Sequence, residues 1–303
     1  VSQKIIEIKN LAKKFGSFEA VKDLSFTVYQ GDVFGFLGPN GAGKSTSIRC
    51  MLSLIKPDKG EVLVFGKSLR ENRNSILKRT GSIIEKPDFY SYLSALTNLE
   101  IFSRISGSRS SRKEIYEILD FVGLQGREHD KVKGYSHGMK QRLGIAQALL
   151  HKPDLIILDE PTTGLDPQGI IDIRNLILRL KNEQNKTVLL SSHILSEIEL
   201  IANRMVIINK GKSVVEGDVA ILLNSEELIA VIEVDDADRA KKIISQTYMN
   251  LIVEKIKNNC VQLEIRKSLI PELTKLLVQN SVNVYSIESK KALEDYFIKI
   301  INN

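Results

Sequence analysis

From Lys4 to Lys210 the chain alternates between short apolar runs and longer stretches in which apolar residues return every three or four positions. The runs have the length of strands: Ile5 to Ile8, Leu24 to Val28, Val33 to Leu37, Glu61 to Phe65, Gly81 to Ile84, Leu155 to Asp159, Thr187 to Ser191 and Arg204 to Asn209. Such runs, separated by helical spacing, predict a mixed or parallel sheet with helices on its faces, an α/β domain. Between Leu99 and Gln147 the strands stop, and Ile115, Ile118, Leu119 and Val122 carry helical spacing instead. This stretch is expected to be a helical insertion, an element that often carries contacts to partners.

Beyond Gly217 the rhythm changes. Leu228 to Val234 reads as strand, Asp236 to Thr247 as helix, and Leu251 to Lys255 and Cys260 to Arg266 as strands. Leu269 to Gln279 reads as helix, Val282 to Ile287 as strand and Lys291 to Ile301 as a closing helix. The order β-α-β-β-α-β plus a helix is the split βαβ arrangement, which suits a small α+β domain. The stretch from Gly217 to Asn224 is the expected boundary, giving domains of 1–217 and 218–303.

Composition adds limits. With 303 residues, 43% hydrophobic and 26% charged, the chain has ordinary globular content and enough length for two cores. Val1 to Asn10 alternates apolar and charged residues, so no secretion signal is expected there. No apolar run reaches the ~18 residues of a membrane helix, so if a membrane is involved, another chain crosses it. Cys50 and Cys260 lie far apart, without Cys or His companions at metal-ligand spacing, and read as buried thiols. The net charge of +6 is spread over single residues, not blocks, which favours a solvated face over a nucleic-acid partner or an anionic lipid surface.

The chemistry begins with Gly38-Pro39-Asn40-Gly41-Ala42-Gly43-Lys44-Ser45, continued by Thr46, between an apolar run and a helical stretch. Glycines let successive backbone N–H groups turn inward toward phosphates, the helix N-terminus adds its partial positive charge, and Lys44 supplies a mobile cation. Ser45 then offers its hydroxyl to magnesium. A chance match to the two glycines, lysine and hydroxyl residue is roughly a one-in-a-hundred event in a chain of this length. The second signal, Leu155-Ile156-Ile157-Leu158-Asp159-Glu160, is a buried run that ends in adjacent carboxylates. Asp159 is placed to approach the magnesium ion, and Glu160 to reach a water that attacks the terminal phosphate.

A third signal, Tyr135-Ser136-His137-Gly138-Met139, puts a hydroxyl residue and a glycine at a helix start, where N–H and O–H groups face a phosphate. Together with the loop and the carboxylates it resembles the signature motif of the ABC ATPase family. The resemblance covers Ile5 to Gly217 and implies a P-loop NTPase fold with a helical insertion. It further implies ATP and Mg2+ as ligands, and a head-to-tail dimer, homomeric or pseudo-symmetric, in which each ATP lies between Lys44 of one copy and Ser136 of the other. It implies integral membrane permease subunits as separate chains, and a place at the cytoplasmic face of the membrane. On the same resemblance Phe15 is the aromatic residue on which adenine stacks. Asp166, in Gly164-Leu165-Asp166, belongs to the loop that reaches the other subunit's site, and His193 is the switch histidine that holds the γ-phosphate.

The sequence departs from the family's pattern twice. Glu85 stands where the family usually has a glutamine that contacts magnesium and the membrane partner; a carboxylate still ligates a metal but donates no hydrogen bond. His137 replaces the first glycine of the signature, while Ser136 and Gly138 remain. Both departures, with Met139 to Ala146 and the closing Ala292-Leu293-Glu294-Asp295-Tyr296-Phe297, resemble ATPases of bacterial peptide-antibiotic exporters and lantibiotic self-protection systems. Export is therefore expected. An importer ATPase and a regulatory module that binds ATP without hydrolysing it are the alternatives. A two-cassette translation factor is excluded by the single loop and signature, and a chromosome ATPase by the short, heptad-free interval from Gly43 to Ser136.

Overall fold

The computed structural model describes residues 3–85, 87–223, 227–248, 251, 253–256, 259–291 and 297. The chain divides into two compact units, Val1–Asp218 and Val219–Asn303.

The first unit opens with a hairpin of β1 (Lys4–Phe15) and β2 (Phe18–Tyr29), followed by β3 (Val33–Leu37) and α1 (Lys44–Met51). Then come β4 (Lys59–Val64), β5 (Lys67–Ser68), α2 (Leu69–Leu77) and β6 (Thr80–Ile83). The expected insertion follows as α3 (Ala95–Ser106), α4 (Arg112–Phe121) and α5 (His137–Leu149). The unit closes with β7 (Leu155–Leu158), α6 (Pro167–Asn182), β8 (Thr187–Ser192), α7 (Leu195–Ile201), β9 (Arg204–Asn209) and β10 (Lys212–Asp218).

A ten-stranded sheet runs in the order β5-β4-β1-β2-β10-β9-β3-β8-β7-β6. Its β9-β3-β8-β7-β6 portion is parallel, and its β5-β4-β1-β2 portion is antiparallel. The parallel strands are covered on both faces, so every residue of β3, β7 and β8 is buried, and β3 and β7 read in the sequence as apolar runs while β8 carries Val188 to Leu190 between buried hydroxyl residues. The core includes Phe26, whose ring lies 5.5 Å from Phe34 and 5.2 Å from Phe36. Ser111 and Glu114 close a reciprocal capping box at the start of α4, which fixes where the second inserted helix begins.

Topology decides where chemistry can occur. Because β3 pairs in parallel with β8, and β8 with β7, their carboxyl ends lie side by side, with Leu37 opposite Ser192 and Leu158 opposite Leu190. The loops that leave β3, β7 and β8 therefore converge, and the crevice beyond strand carboxyl ends is where open α/β sheets bind ligands.

Three differences from the sequence reading have physical causes. β1 and β2 are 12 residues each, because polar positions of a half-exposed hairpin break the apolar run before the strand ends. β10 was not expected at all: its exposed and half-buried positions alternate through Lys212–Asp218, and its charged residues mask it. The carboxylate-bearing run stops at Leu158, one residue early, although Asp159 N–H still donates to Ile83 C=O at 2.9 Å.

The second unit holds α8 (Val219–Leu223), β11 (Glu227–Val234), α9 (Ala237–Thr247), β12 (Val253–Ile256), β13 (Cys260–Arg266), α10 (Ile270–Gln279) and β14 (Val284–Lys291). Its four-stranded antiparallel sheet has the order β12-β13-β11-β14, the strand order of a split βαβ fold. Ala240 and Ile244 of α9 and Leu273 and Leu277 of α10 pack with Ala230, Ile232, Val261 and Leu263 of the sheet. The last strand runs on to Lys291, the residue expected to open the closing helix. Apart from Phe297, which is helical, the rest of that expected helix lies outside the described residues.

Candidate nucleotide-binding site

Gly38 to Gly43 bridges the end of β3 and the start of α1, and Gly38 and Gly43 are required by close backbone approaches. An added Cβ on Gly38 would stand 2.5 Å from Ile208 C=O, and one on Gly43 would stand 2.5 Å from Ala20 C=O. Gly43 also has φ 105 and Gly41 φ 79, left-handed values that side chains disfavour. The loop is tied to β8 through Gly38 N–H, which donates to Ser192 C=O at 3.2 Å. Its backbone thus leads directly into the first turn of α1, whose leading N–H groups lack intrahelical partners and favour an anion.

Lys44, the first residue of α1, is buried, with 5% of its side chain exposed. A buried ammonium needs compensating oxygens. Lys44 Nζ donates to Gly38 C=O at 2.8 Å and Pro39 C=O at 3.2 Å, and lies 3.3 Å from Glu160 Oε1. Ser45 and Thr46 follow it, half-buried, on the same turn.

Glu160 leaves β7 in a left-handed conformation, φ 46, and its N–H donates to Ser191 Oγ at 2.8 Å. Its Oε2 accepts a bond from Thr163 Oγ1 at 2.9 Å and lies 3.3 Å from His193 Nδ1. That nitrogen is buried and makes no hydrogen bond in this geometry. Burial pushes the Glu160 carboxyl up, but the Thr163 hydroxyl and the Lys44 and His193 charges outweigh it, and the group stays below the ordinary glutamate range. Asp159 is buried beside it and accepts from Ser191 Oγ at 2.6 Å. One serine hydroxyl therefore touches both carboxylate residues.

The expected residues thus form separate groups. Lys44, Asp159, Glu160 and His193 meet at the strand ends. Glu85 follows β6 with φ 63 and ion-pairs with Arg49 of α1. Ser136 caps α5, accepting from Met139 N–H at 3.2 Å, and Asp166 caps α6, accepting from Gly169 N–H at 2.9 Å. Among the described residues no hydrogen bond or ion pair joins Ser136, Gly138 or Asp166 to the Lys44 group. These caps instead belong to one neighbourhood: an added Cβ on Gly138 would lie 4.0 Å from Gly169 Cα, and one on Gly164 would lie 3.8 Å from His137 Nε2. Phe15 ends β1, half-exposed, with the Lys13 ammonium 5.5 Å from its ring. Its hairpin reaches the loop through Ala20, the residue that abuts Gly43.

Sequence reasoning missed Arg49, Thr162, Thr163, Ser191, Ser192 and Glu197. The available signal was the pairing of hydroxyl residues around the chemistry: Thr162-Thr163 shortly after Glu160, and Ser191-Ser192 immediately before His193.

A family model described as ABC transporter matches residues 21–163. The bacitracin transport ATP-binding protein BcrA of Bacillus licheniformis is 43% identical over 98% of this chain and 97% of its own. The chain belongs to the ABC transporter ATP-binding family. The lantibiotic transport ATP-binding protein SrtF of Streptococcus pyogenes is 40% identical over 74% of this chain and 95% of its own. An ABC cassette solved as a dimer in a post-hydrolysis state, bound to ADP and Pi, superposes with TM-score 0.63 at 27% identity, covering 71% of this chain and 99% of that one.

As an ABC ATP-binding subunit, the chain carries the P-loop fold that its loop geometry requires. Among its described residues no helix is long and apolar enough to cross a membrane. The donor set beside the ABC loop fits magnesium: the Ser45 hydroxyl and the buried Asp159 carboxylate are hard oxygen donors, and Mg2+ is commonly held by one or two carboxylates plus phosphate oxygens.

Proposed function

We propose that this ABC subunit hydrolyses ATP and that the hydrolysis drives export of a peptide antibiotic through separate membrane-spanning permease chains. The observation that carries the reading is the convergence of Lys44, Glu160 and His193 at the ends of β3, β7 and β8. A buried cation and an ionised carboxylate within a few ångströms supply the charge neutralisation and the base that phosphoryl transfer to water uses, and the imidazole beside them adds a hydrogen-bond donor.

In this reading the loop N–H groups and Lys44 hold the β- and γ-phosphates, while Phe15 stacks on adenine. Magnesium, held by Ser45 and Asp159 with Glu85 nearby, would neutralise phosphate charge when bound. Glu160 accepts the proton of the attacking water as the water oxygen bonds to the γ-phosphorus. The bond from that phosphorus to the ADP oxygen breaks, giving ADP and phosphate. His193, whose Nδ1 lies 3.3 Å from Glu160 Oε2, donates from its ring to a γ-phosphate oxygen. Ser136, Gly138 and Asp166, grouped away from Lys44, serve the site of a second copy, so that ATP closes a dimer and hydrolysis opens it. The dimeric relative supports this arrangement, and the bacitracin and lantibiotic relatives support export.

The test is phosphate release by the purified chain and by Glu160→Gln. The variant is expected to lose at least a hundredfold in kcat while still binding ATP. Equal rates would remove Glu160 from the role of base.

A further inference from the structure

His193 Nδ1 faces Glu160 Oε2 at 3.3 Å but makes no hydrogen bond to hold the ring there, so the position of the ring depends on the backbone turn that carries it. That turn is built by Ser192. The buried Ser192 hydroxyl accepts from Ile194 N–H at 3.0 Å, bracketing His193 between the two residues. A hydroxyl has one proton, and Ser192 directs it to Glu197 Oε2 at 3.0 Å, the alternative acceptor Ile194 C=O being longer at 3.4 Å. The same Glu197 oxygen accepts from Thr162 Oγ1 at 2.8 Å. Thr162 is buried and precedes Thr163, whose hydroxyl binds Glu160 Oε2. A single carboxylate in the first turn of α7 therefore joins the loop after β7 to the end of β8.

We propose that Glu197 is a positioning residue for hydrolysis, clamping the Ser192 turn to Thr162 so that His193 is held at Glu160 and the γ-phosphate. The inference rests on the roles given above to Glu160 and His193. Both bonds at Glu197 converge on one acceptor oxygen, and a glutamine carbonyl in that place accepts two protons as well. The clamp thus depends on the acceptor more than on its charge.

The experiment is steady-state ATP hydrolysis by the full chain carrying Glu197→Ala, Glu197→Gln, His193→Ala and the double variant Glu197→Ala/His193→Ala. Glu197→Ala is expected to lower kcat by on the order of tenfold or more, with KM for ATP little changed, since misplacement of a reacting group acts on the transition state. Glu197→Gln is expected to recover most of the rate. In the His193→Ala background, adding Glu197→Ala is expected to cost nothing further, the non-additivity of residues acting through one another. A merely structural Glu197 would give additive losses and no rescue, and that result overturns the inference. So does a wild-type rate for Glu197→Ala beside a slow His193→Ala. If His193→Ala itself runs at the wild-type rate, the reading of His193 falls first and the clamp with it. Should Glu197→Ala fail to fold, Ser192→Ala removes the same turn bond and is expected to show the same loss of kcat and the same non-additivity with His193→Ala; additive losses there overturn the clamp equally.

Discussion

Lys44 Nζ lies 3.3 Å from Glu160 Oε1, so the loop cation and the carboxylate proposed as base are in direct contact. The pair is largely withdrawn from water, and each charge compensates the other. In the function proposed above, phosphate oxygens would take the place of Glu160 at Lys44, leaving Glu160 free to face water.

Lys44→Met removes the cation and keeps the bulk of the side chain. It is expected to weaken ATP binding at least tenfold by calorimetric titration. Glu160→Gln, which relieves the phosphates of a nearby negative charge, is expected to bind ATP at least as tightly as the wild type. Equal affinities for Lys44→Met and the wild type would remove Lys44 from the phosphate site.

The Glu160 carboxyl is held below the ordinary glutamate range. A depressed carboxylate contributes stability above its unfolded value and loses it as pH falls through the lowered folded value. The base is therefore fully ionised at neutral pH. The acid limb of kcat/KM for ATP, which reports the groups of the unliganded chain, is expected below the ordinary glutamate range of about 4.3. A limb of the Glu160-dependent rate near pH 6 to 7 would contradict this environment for Glu160.

Gly41 and Gly43 both have positive φ, but only Gly43 meets backbone where a Cβ would go. Gly41→Ala is expected to cost about 1 kcal/mol for its left-handed backbone and to leave the fold intact. Gly43→Ala must also push Ala20 C=O away, and is expected to cost about 3 kcal/mol or more and to abolish nucleotide binding. Urea unfolding of the two variants measures the difference; equal losses would deny the close approach of the hairpin to the loop.

Much of this was legible in the sequence where burial is continuous. β3, β7 and β8 are buried along their whole lengths, so their apolar runs stand out, and the glycine spacing of 38–43 marked the loop. β10 was hidden because a half-exposed strand carrying Lys212, Glu216 and Asp218 looks like a linker. The acceptor network was hidden for another reason. Ser191 and Glu197 act through partners brought together by parallel pairing of β7 and β8, at Asp159 and Thr162, which lie 32 and 35 positions away. Spacing along one chain segment carries no trace of such contacts. Glu85 was readable as a departure, but its pairing with Arg49 was not, since that depends on α1 passing the end of β6.

The most direct test of the central claim is the mass in solution of Glu160→Gln with ATP and magnesium, by light scattering, beside the same variant carrying Ser136→Arg. A dimer is expected that forms only with ATP, persists because hydrolysis is blocked, and is lost when Ser136 is replaced, as it must be if each ATP is closed between Lys44 of one copy and Ser136 of the other. A chain that stays monomeric with ATP bound, or dimerises equally with Ser136→Arg, would contradict it.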